Sequence, residues 1–131
     1  MRYLVDSDYV ADYLGARPNA IQLLSSFAKD DLSISLITYG EIYEGIHFGR
    51  DPQKTTDVFQ RFLRSVVILP LTQPIMQHFA RLRGELRRTG NIIGDFDILI
   101  AATAIQHNLT LVTRNIKDYQ RILHLTIYKP G

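Results

Sequence analysis

The sequence predicts an α/β fold, with a mostly parallel central sheet and helices on both faces. Short runs of apolar, β-branched and aromatic residues (RYLV, LSISL, VVIL, LTLV) alternate with longer stretches of helical periodicity along the chain. That alternation is the pattern of a parallel sheet covered on both sides. In addition, three separated acids, Asp6, Glu41 and Asp97, each fall where a strand ends or a helix begins. At that edge an open α/β sheet gathers distant residues into one crevice.

The elements follow in order. Arg2 to Val5 is a short apolar run ending at Asp6 and reads as a buried strand. Ser7 or Asp8 can cap a short helix that Gly15 closes. Pro18 opens a second helix with Ile21, Leu24 and Ala28 at helical spacing. Leu32 to Leu36 is the next strand and Thr38 to Gly49 the next helix. The Asp51-Pro52 turn leads to a helix carrying Val58, Phe59, Phe62 and Leu63. Val66 to Leu69 is a strand stopped by Pro70. Gln73 to Thr89 is a long helix, with Ile75, Phe79, Leu82 and Leu86 on one face and Gly90 at its end. After a loop to Gly94, Asp95 to His107 forms an apolar helix and Leu109 to Val112 a strand. A helical turn at Asn115 to Tyr119 precedes a last strand near Thr126 to Tyr128. Strand order is not legible from this pattern.

Composition narrows the function. At 131 residues the chain is expected to be one domain, residues 1–131, with 46% apolar and 21% charged residues, as in ordinary globular proteins. A net charge of +2 is too small to imply a nucleic-acid or membrane partner. Clustered arginines (Arg81, Arg83, Arg87 and Arg88; Arg50, Arg61 and Arg64 with Lys54) read either as solvated helix faces or as surfaces for phosphates. The absence of cysteine excludes disulfides, thiolate metal sites and cysteine nucleophiles, and fits the cytoplasm. Asp6 interrupts the apolar start, so no signal peptide is expected, and no apolar run is long enough to span a bilayer.

Each acid has both a structural and a functional reading. Asp6 can cap the helix that follows it or serve a site at the strand's exit. Glu41 closes the segment Thr38-Tyr39-Gly40-Glu41, which has the spacing of a capping box. Asp95 after Gly94 has the look of an N-cap, and Asp97 then lies on the first helical turn, where negative charge suits the macrodipole. Ala101 and Ala102 allow that helix to pack closely against the sheet. Asn115 and Thr113 could offer neutral oxygens, or simply make a turn with Asp118. The four histidines show no ligand spacing, and no P-loop, GxGxxG or GxSxG is present. Carboxylates gathered in one crevice repel each other unless a cation neutralises them, and the usual cation for an all-oxygen site is a hard divalent metal.

The segments YLVDSDYV, ISLITYGEIYEGI, IIGDFDILIAATAI and LTLVTRNIKDY, in this order and covering nearly the whole chain, resemble the PIN-domain ribonucleases. They are most similar to the VapC toxins of bacterial toxin–antitoxin pairs. The resemblance implies an α/β/α sandwich and a Mg²⁺- or Mn²⁺-dependent endoribonuclease that leaves a 5′-phosphate and a 3′-hydroxyl. It also implies a VapB-type antitoxin and a toxin homodimer. It assigns Asp6, Glu41 and Asp97 to catalysis and metal binding, with Asp95 as an auxiliary acid or cap. Where the family often has a fourth acid this chain has Asn115, with Asp118 as the substitute. Ser7 and Thr113 would orient waters, and Arg114 would hold the RNA backbone. The rivals are a PIN-like module that binds RNA or protein without turnover, and a receiver-like phospho-acceptor built on Asp6. The second rival needs a late lysine at a strand end, and Lys117 is in the wrong context for that.

Overall fold

A computed structural model describes residues 1–130. Its strands are β1 (Tyr3–Val5), β2 (Leu32–Ser35), β3 (Val67–Leu69), β4 (Thr110–Val112) and β5 (Thr126–Ile127). All are parallel, in the order β3-β2-β1-β4-β5. The helices are α1 (Ser7–Leu14), α2 (Pro18–Ser26), α3 (Leu36–His47), α4 (Pro52–Leu63), α5 (Gln73–Arg88), α6 (Asp95–His107) and α7 (Ile116–Tyr119), with a 3-10 turn over Lys29–Asp31.

Alternation along the central strands builds two cores. Leu4 and Leu111 face Ile75, Leu82 and Leu86 of α5 and Ile98, Ala101 and Ala102 of α6. The next residues along, Val5 and Val112, join Ile34 on the other face against Val10 of α1, Leu24 of α2, Ile42 and Ile46 of α3, and Phe59 and Phe62 of α4. A strand buried on both faces needs apolar residues at successive positions, which is why β1 reads as a run and not as an alternation. Each such Leu, Ile or Phe contributes roughly 1.5–3 kcal/mol by leaving water. The expected α/β/α layering is therefore present. Among the described residues, no helix is long and apolar enough to cross a membrane.

Several boundaries differ from expectation. α2 stops at Ser26, and Phe27 and Ala28 are extended, so Ala28 does not continue its helical face. Tertiary packing overrides local periodicity here: the Phe27 ring stacks on Tyr3 at 4.2 Å and meets Tyr128 edge-on at 5.3 Å. β2 ends at Ser35, and α3 begins at Leu36 instead of Thr38. The cap is Ser35, whose Oγ accepts from the Ile37 amide at 3.0 Å. α5 gives way at Thr89, and Gly90 takes a φ of 72°, a left-handed turn that glycine makes without steric cost. α6 is capped by the Gly94 backbone, and Asp95 is its first helical residue.

Candidate functional site

β1 lies at the centre of the sheet. The chain passes from it through β2 to β3 on one side, while β4 and β5 lie on the other. The crevice at the carboxyl ends of β1 and β4 is thus the topological switch point, where α/β sheets gather their ligands. The Asp6 amide donates to the Val112 carbonyl at 2.9 Å, fixing the end of β1 against β4. Asp6 itself, not Ser7 or Asp8, caps α1: its Oδ1 accepts from the Ser7 amide at 2.8 Å. Its Oδ2 accepts from Thr113 Oγ1 at 2.7 Å. The residue is only 5% exposed, and the helix cap and the candidate site acid are one carboxylate.

Glu41 lies in the second turn of α3 and is not part of a capping box, because Ser35 has taken the cap and Thr38 is buried inside the helix. Its Oε1 accepts from Ser7 Oγ at 2.8 Å, and that hydroxyl lies 2.9 Å from Thr38 Oγ1. Ser7 therefore links α1 to α3 across the mouth of the sheet. Asp97 is in the first turn of α6, held close to the sheet by the fully buried Ala101 and Ala102. Its Oδ1 accepts from the Tyr119 hydroxyl at 3.2 Å.

The remaining expected residues lie around this group. Asn115 Nδ2 donates to Asp118 Oδ2 at 3.2 Å, and Asp118 also lies 3.8 Å from Arg121. Asp95 is turned towards α5, with its Oδ1 2.7 Å from Arg83 Nε. Arg114 pairs with Asp12 at 3.0 Å and stays largely exposed. Of the histidines, His47 and His107 sit in the last turns of α3 and α6.

Two residues of the crevice escape sequence reasoning. Asp8, read only as a possible cap, accepts from the Tyr9 amide at 2.6 Å and from the Arg114 amide at 2.9 Å. Thr113 Oγ1 approaches it at 3.3 Å. Tyr119, read only as part of a helical turn, is wholly buried against the acids. The contacts that bring both to the crevice, Asp8 with Thr113 and Arg114 and Tyr119 with Asp97, come from distant parts of the chain, so neither placement carries a local signal.

The electrostatics follow from this packing. Burial, then the charge of Asp8 and more weakly that of Asp97, pushes the Asp6 carboxyl up to about 7 against the bonds from Thr113 and Ser7. Burial also raises Asp97; the Tyr119 bond opposes the rise, and the charges of Asp118 and Asp8 add to it. Glu41 is raised by burial, against its Ser7 bond, with Asp97 and Glu44 adding charge. No cation is among these causes. Carboxylates with hydroxyls behind them are hard oxygen donors and suit Mg²⁺ or Mn²⁺. They converge without closing into a cage: among the described residues, no three acidic or histidine side chains form a ready ligand group.

Comparison with known proteins shows the family and the fold. The PIN domain family model matches residues 3–122. Ribonuclease VapC2 of Haemophilus influenzae is 31% identical over 127 residues, covering 95% of this chain and 95% of that protein. Among solved structures, a chain of VapBC2 from Rickettsia felis, bound to a DNA fragment from its promoter, superposes with a TM-score of 0.91 at 29% identity, covering 100% of both chains. A chain of VapBC-1 from nontypeable Haemophilus influenzae superposes with a TM-score of 0.86 at 27% identity, covering 98% of both.

Proposed function

Since the chain belongs to the PIN-domain family, we propose that it is a metal-dependent endoribonuclease acting as the toxin of a VapBC-type pair. The observation that carries the chemistry is the convergence of Asp6, Glu41 and Asp97 on one crevice, each held by neutral donors and each with its carboxyl raised by burial and by neighbouring acids. The relatives carry the biological role. A match that runs the length of both chains is named a ribonuclease, and the VapBC structures support a VapB-type antitoxin as partner. A homodimer of the toxin belongs to the same reading.

In this reading Asp6 and Asp97 hold Mg²⁺ or Mn²⁺, and Glu41 is a further ligand or the base that orients water. The cation supplies charge neutralisation at the phosphoryl oxygens and makes water a better nucleophile. The chain's own contribution is placement. Thr113 Oγ1 and the Ser7 amide fix both oxygens of Asp6, and Ser7 Oγ fixes Glu41. Arg114, exposed beside the crevice, and the arginine-rich helix faces offer contacts to the RNA backbone, which position a strand without reading its sequence. Hydrolysis by in-line attack leaves a 5′-phosphate and a 3′-hydroxyl, and needs no nucleophilic side chain.

The test is cleavage of a total RNA pool by partner-free protein with Mg²⁺, with Mn²⁺ and with EDTA, beside Asp97→Asn, with the new ends mapped. Asn keeps the volume and the Oδ1 acceptor but removes the charge. The expected result is metal-dependent cutting that bears 5′-phosphates and falls by more than about a hundredfold in the variant, beyond the usual cost of losing a supporting group behind a ligand. Folded, metal-binding protein that cuts nothing under any condition would overturn the nuclease reading and favour a binding module.

A further inference from the structure

We propose that the buried hydroxyl of Tyr119 is the positioning group for Asp97, fixing which oxygen of that carboxylate faces the crevice. This rests on the metal-dependent nuclease reading above and adds to it a residue outside the acidic set.

Tyr119 ends the short helix α7, and its side chain is 0% exposed. A buried phenol needs a hydrogen-bond partner, and this one finds it in Asp97 Oδ1 at 3.2 Å. Packing alone would be served by phenylalanine, which has the same ring and no polar atom to satisfy. The hydroxyl matters because of where it points. Each of the other crevice acids has a backbone or side-chain donor from the α1, β4 or α7 region: Ser7 N and Thr113 for Asp6, Ser7 Oγ for Glu41, the Tyr9 and Arg114 amides for Asp8, and Asn115 for Asp118. For Asp97, Tyr119 is the one side-chain donor among the described residues.

The bond is also one-sided. It engages Oδ1 and leaves Oδ2 with no side-chain donor among the described residues. A carboxylate held at one oxygen by a neutral donor has its rotation about the terminal bond restricted while its charge is kept. A cationic donor would instead cancel the charge that a metal needs. Hydrogen bonds behind a ligating group orient it, and losing one costs about 10–100-fold in metal affinity or activity. Because Tyr119 is wholly buried, it can influence RNA only through Asp97, so its effect should fall on turnover and metal binding and not on RNA binding.

The experiment compares wild type, Tyr119→Phe and Asp97→Asn by titration with Mn²⁺ alone, read by the loss of free Mn²⁺ signal in electron paramagnetic resonance. It is followed by RNA cleavage kinetics at saturating Mn²⁺ and by thermal unfolding in EDTA. Tyr119→Phe should fold as the wild type does, bind Mn²⁺ about tenfold more weakly, and lose kcat with KM for RNA unchanged within twofold. Wild-type Mn²⁺ affinity and kcat in Tyr119→Phe would overturn the positioning role while leaving the nuclease reading intact. Wild type that neither binds Mn²⁺ nor cleaves RNA would overturn that reading, and the role of Tyr119 with it. Should Tyr119→Phe unfold, Tyr119→His, which keeps a ring donor, must recover Mn²⁺ binding above Tyr119→Leu; equal binding by the two would reject the proposal.

Discussion

Acidic side chains occupy two unlike settings in this molecule. On the α5–α6 surface, Glu85 lies 3.6 Å from Arg81 and Asp95 lies 2.7 Å from Arg83. There the chain supplies its own counter-charges, in water, where such pairs contribute about 0–1 kcal/mol. In the crevice, Asp6, Glu41 and Asp97 are served by neutral donors: an amide, the hydroxyls of Ser7 and Thr113, and the phenol of Tyr119. Neutral donors orient a carboxylate without pairing it to an opposite charge, so these crevice acids lack the counter-charges that the surface acids have. The contrast separates acids paired with arginines from acids held by neutral donors, the setting that the proposed metal site requires.

The strongest test of that contrast is Asp6→Asn. In the crevice an acid should destabilise the metal-free fold and yet be required for activity. Asp6 has a folded-state pKa raised from 3.8 to about 7. The stability linked to it is therefore fully present below about pH 4 and is lost as pH rises through about 7. Above that, holding the buried carboxylate ionised costs on the order of 4 kcal/mol, at about 1.4 kcal/mol per pH unit of displacement. Asp6→Asn should raise the unfolding free energy in EDTA at pH 8, flatten the fall in stability between pH 5 and 8, and lower RNA cleavage by more than about a hundredfold. Denaturant titrations at both pH values decide it. Asn keeps an oxygen for the Ser7 amide but not the second acceptor for Thr113, so a variant less stable than wild type at pH 8 would show that the Thr113 bond, and not charge, dominates this position.

A smaller effect is expected at Glu41, which is only half-buried. Gln keeps an oxygen to accept from Ser7 Oγ, so Glu41→Gln should leave the unfolding temperature within a few degrees of wild type. Cleavage should fall about tenfold or more. Wild-type cleavage would reduce Glu41 to a structural partner of Ser7. Because α3 is capped by Ser35, a helix-capping explanation for any loss is already closed.

The two settings also differ in how far the sequence disclosed them. Asp6 is legible because a short apolar run ends at it, and Asp97 because it lies at the opening of an apolar helix. Both signals are local, and the topology then brings the residues together. Glu41 is legible as a position, but its local reading misleads: the spacing from Thr38 imitates a capping box, while the true cap, Ser35, hides inside what reads as strand. Asp8 meets the Arg114 amide 106 positions away, and Tyr119 meets Asp97 across 22. The first contact follows from the sheet order, with β1 beside β4, and the second from the packing of α7 beside the start of α6; no periodicity encodes either. The same reason explains Asp95. It stands two residues from Asp97 in sequence, yet the turn of α6 carries it to Arg83.

Asp95→Asn is therefore the finest test of where the boundary between the settings falls. The change removes an exposed ion pair and one negative charge from the first turn of α6. The pair contributes about 0–1 kcal/mol and the charge at the helix start about 0.3–1 kcal/mol. Stability should thus drop by about 1 kcal/mol at most, and by less in high salt, which screens both effects. Cleavage and Mn²⁺ affinity should stay within twofold of wild type, since Asp95 faces Arg83 and not the crevice. A tenfold loss of cleavage with stability preserved would move Asp95 into the acidic site. The Arg83 pair would then be a resting contact that gives way when metal and RNA arrive. Arg83→Gln isolates the pair: it keeps Asp95 and its charge at the start of α6, so it should cost less stability than Asp95→Asn, by the part that the helix-start charge contributes.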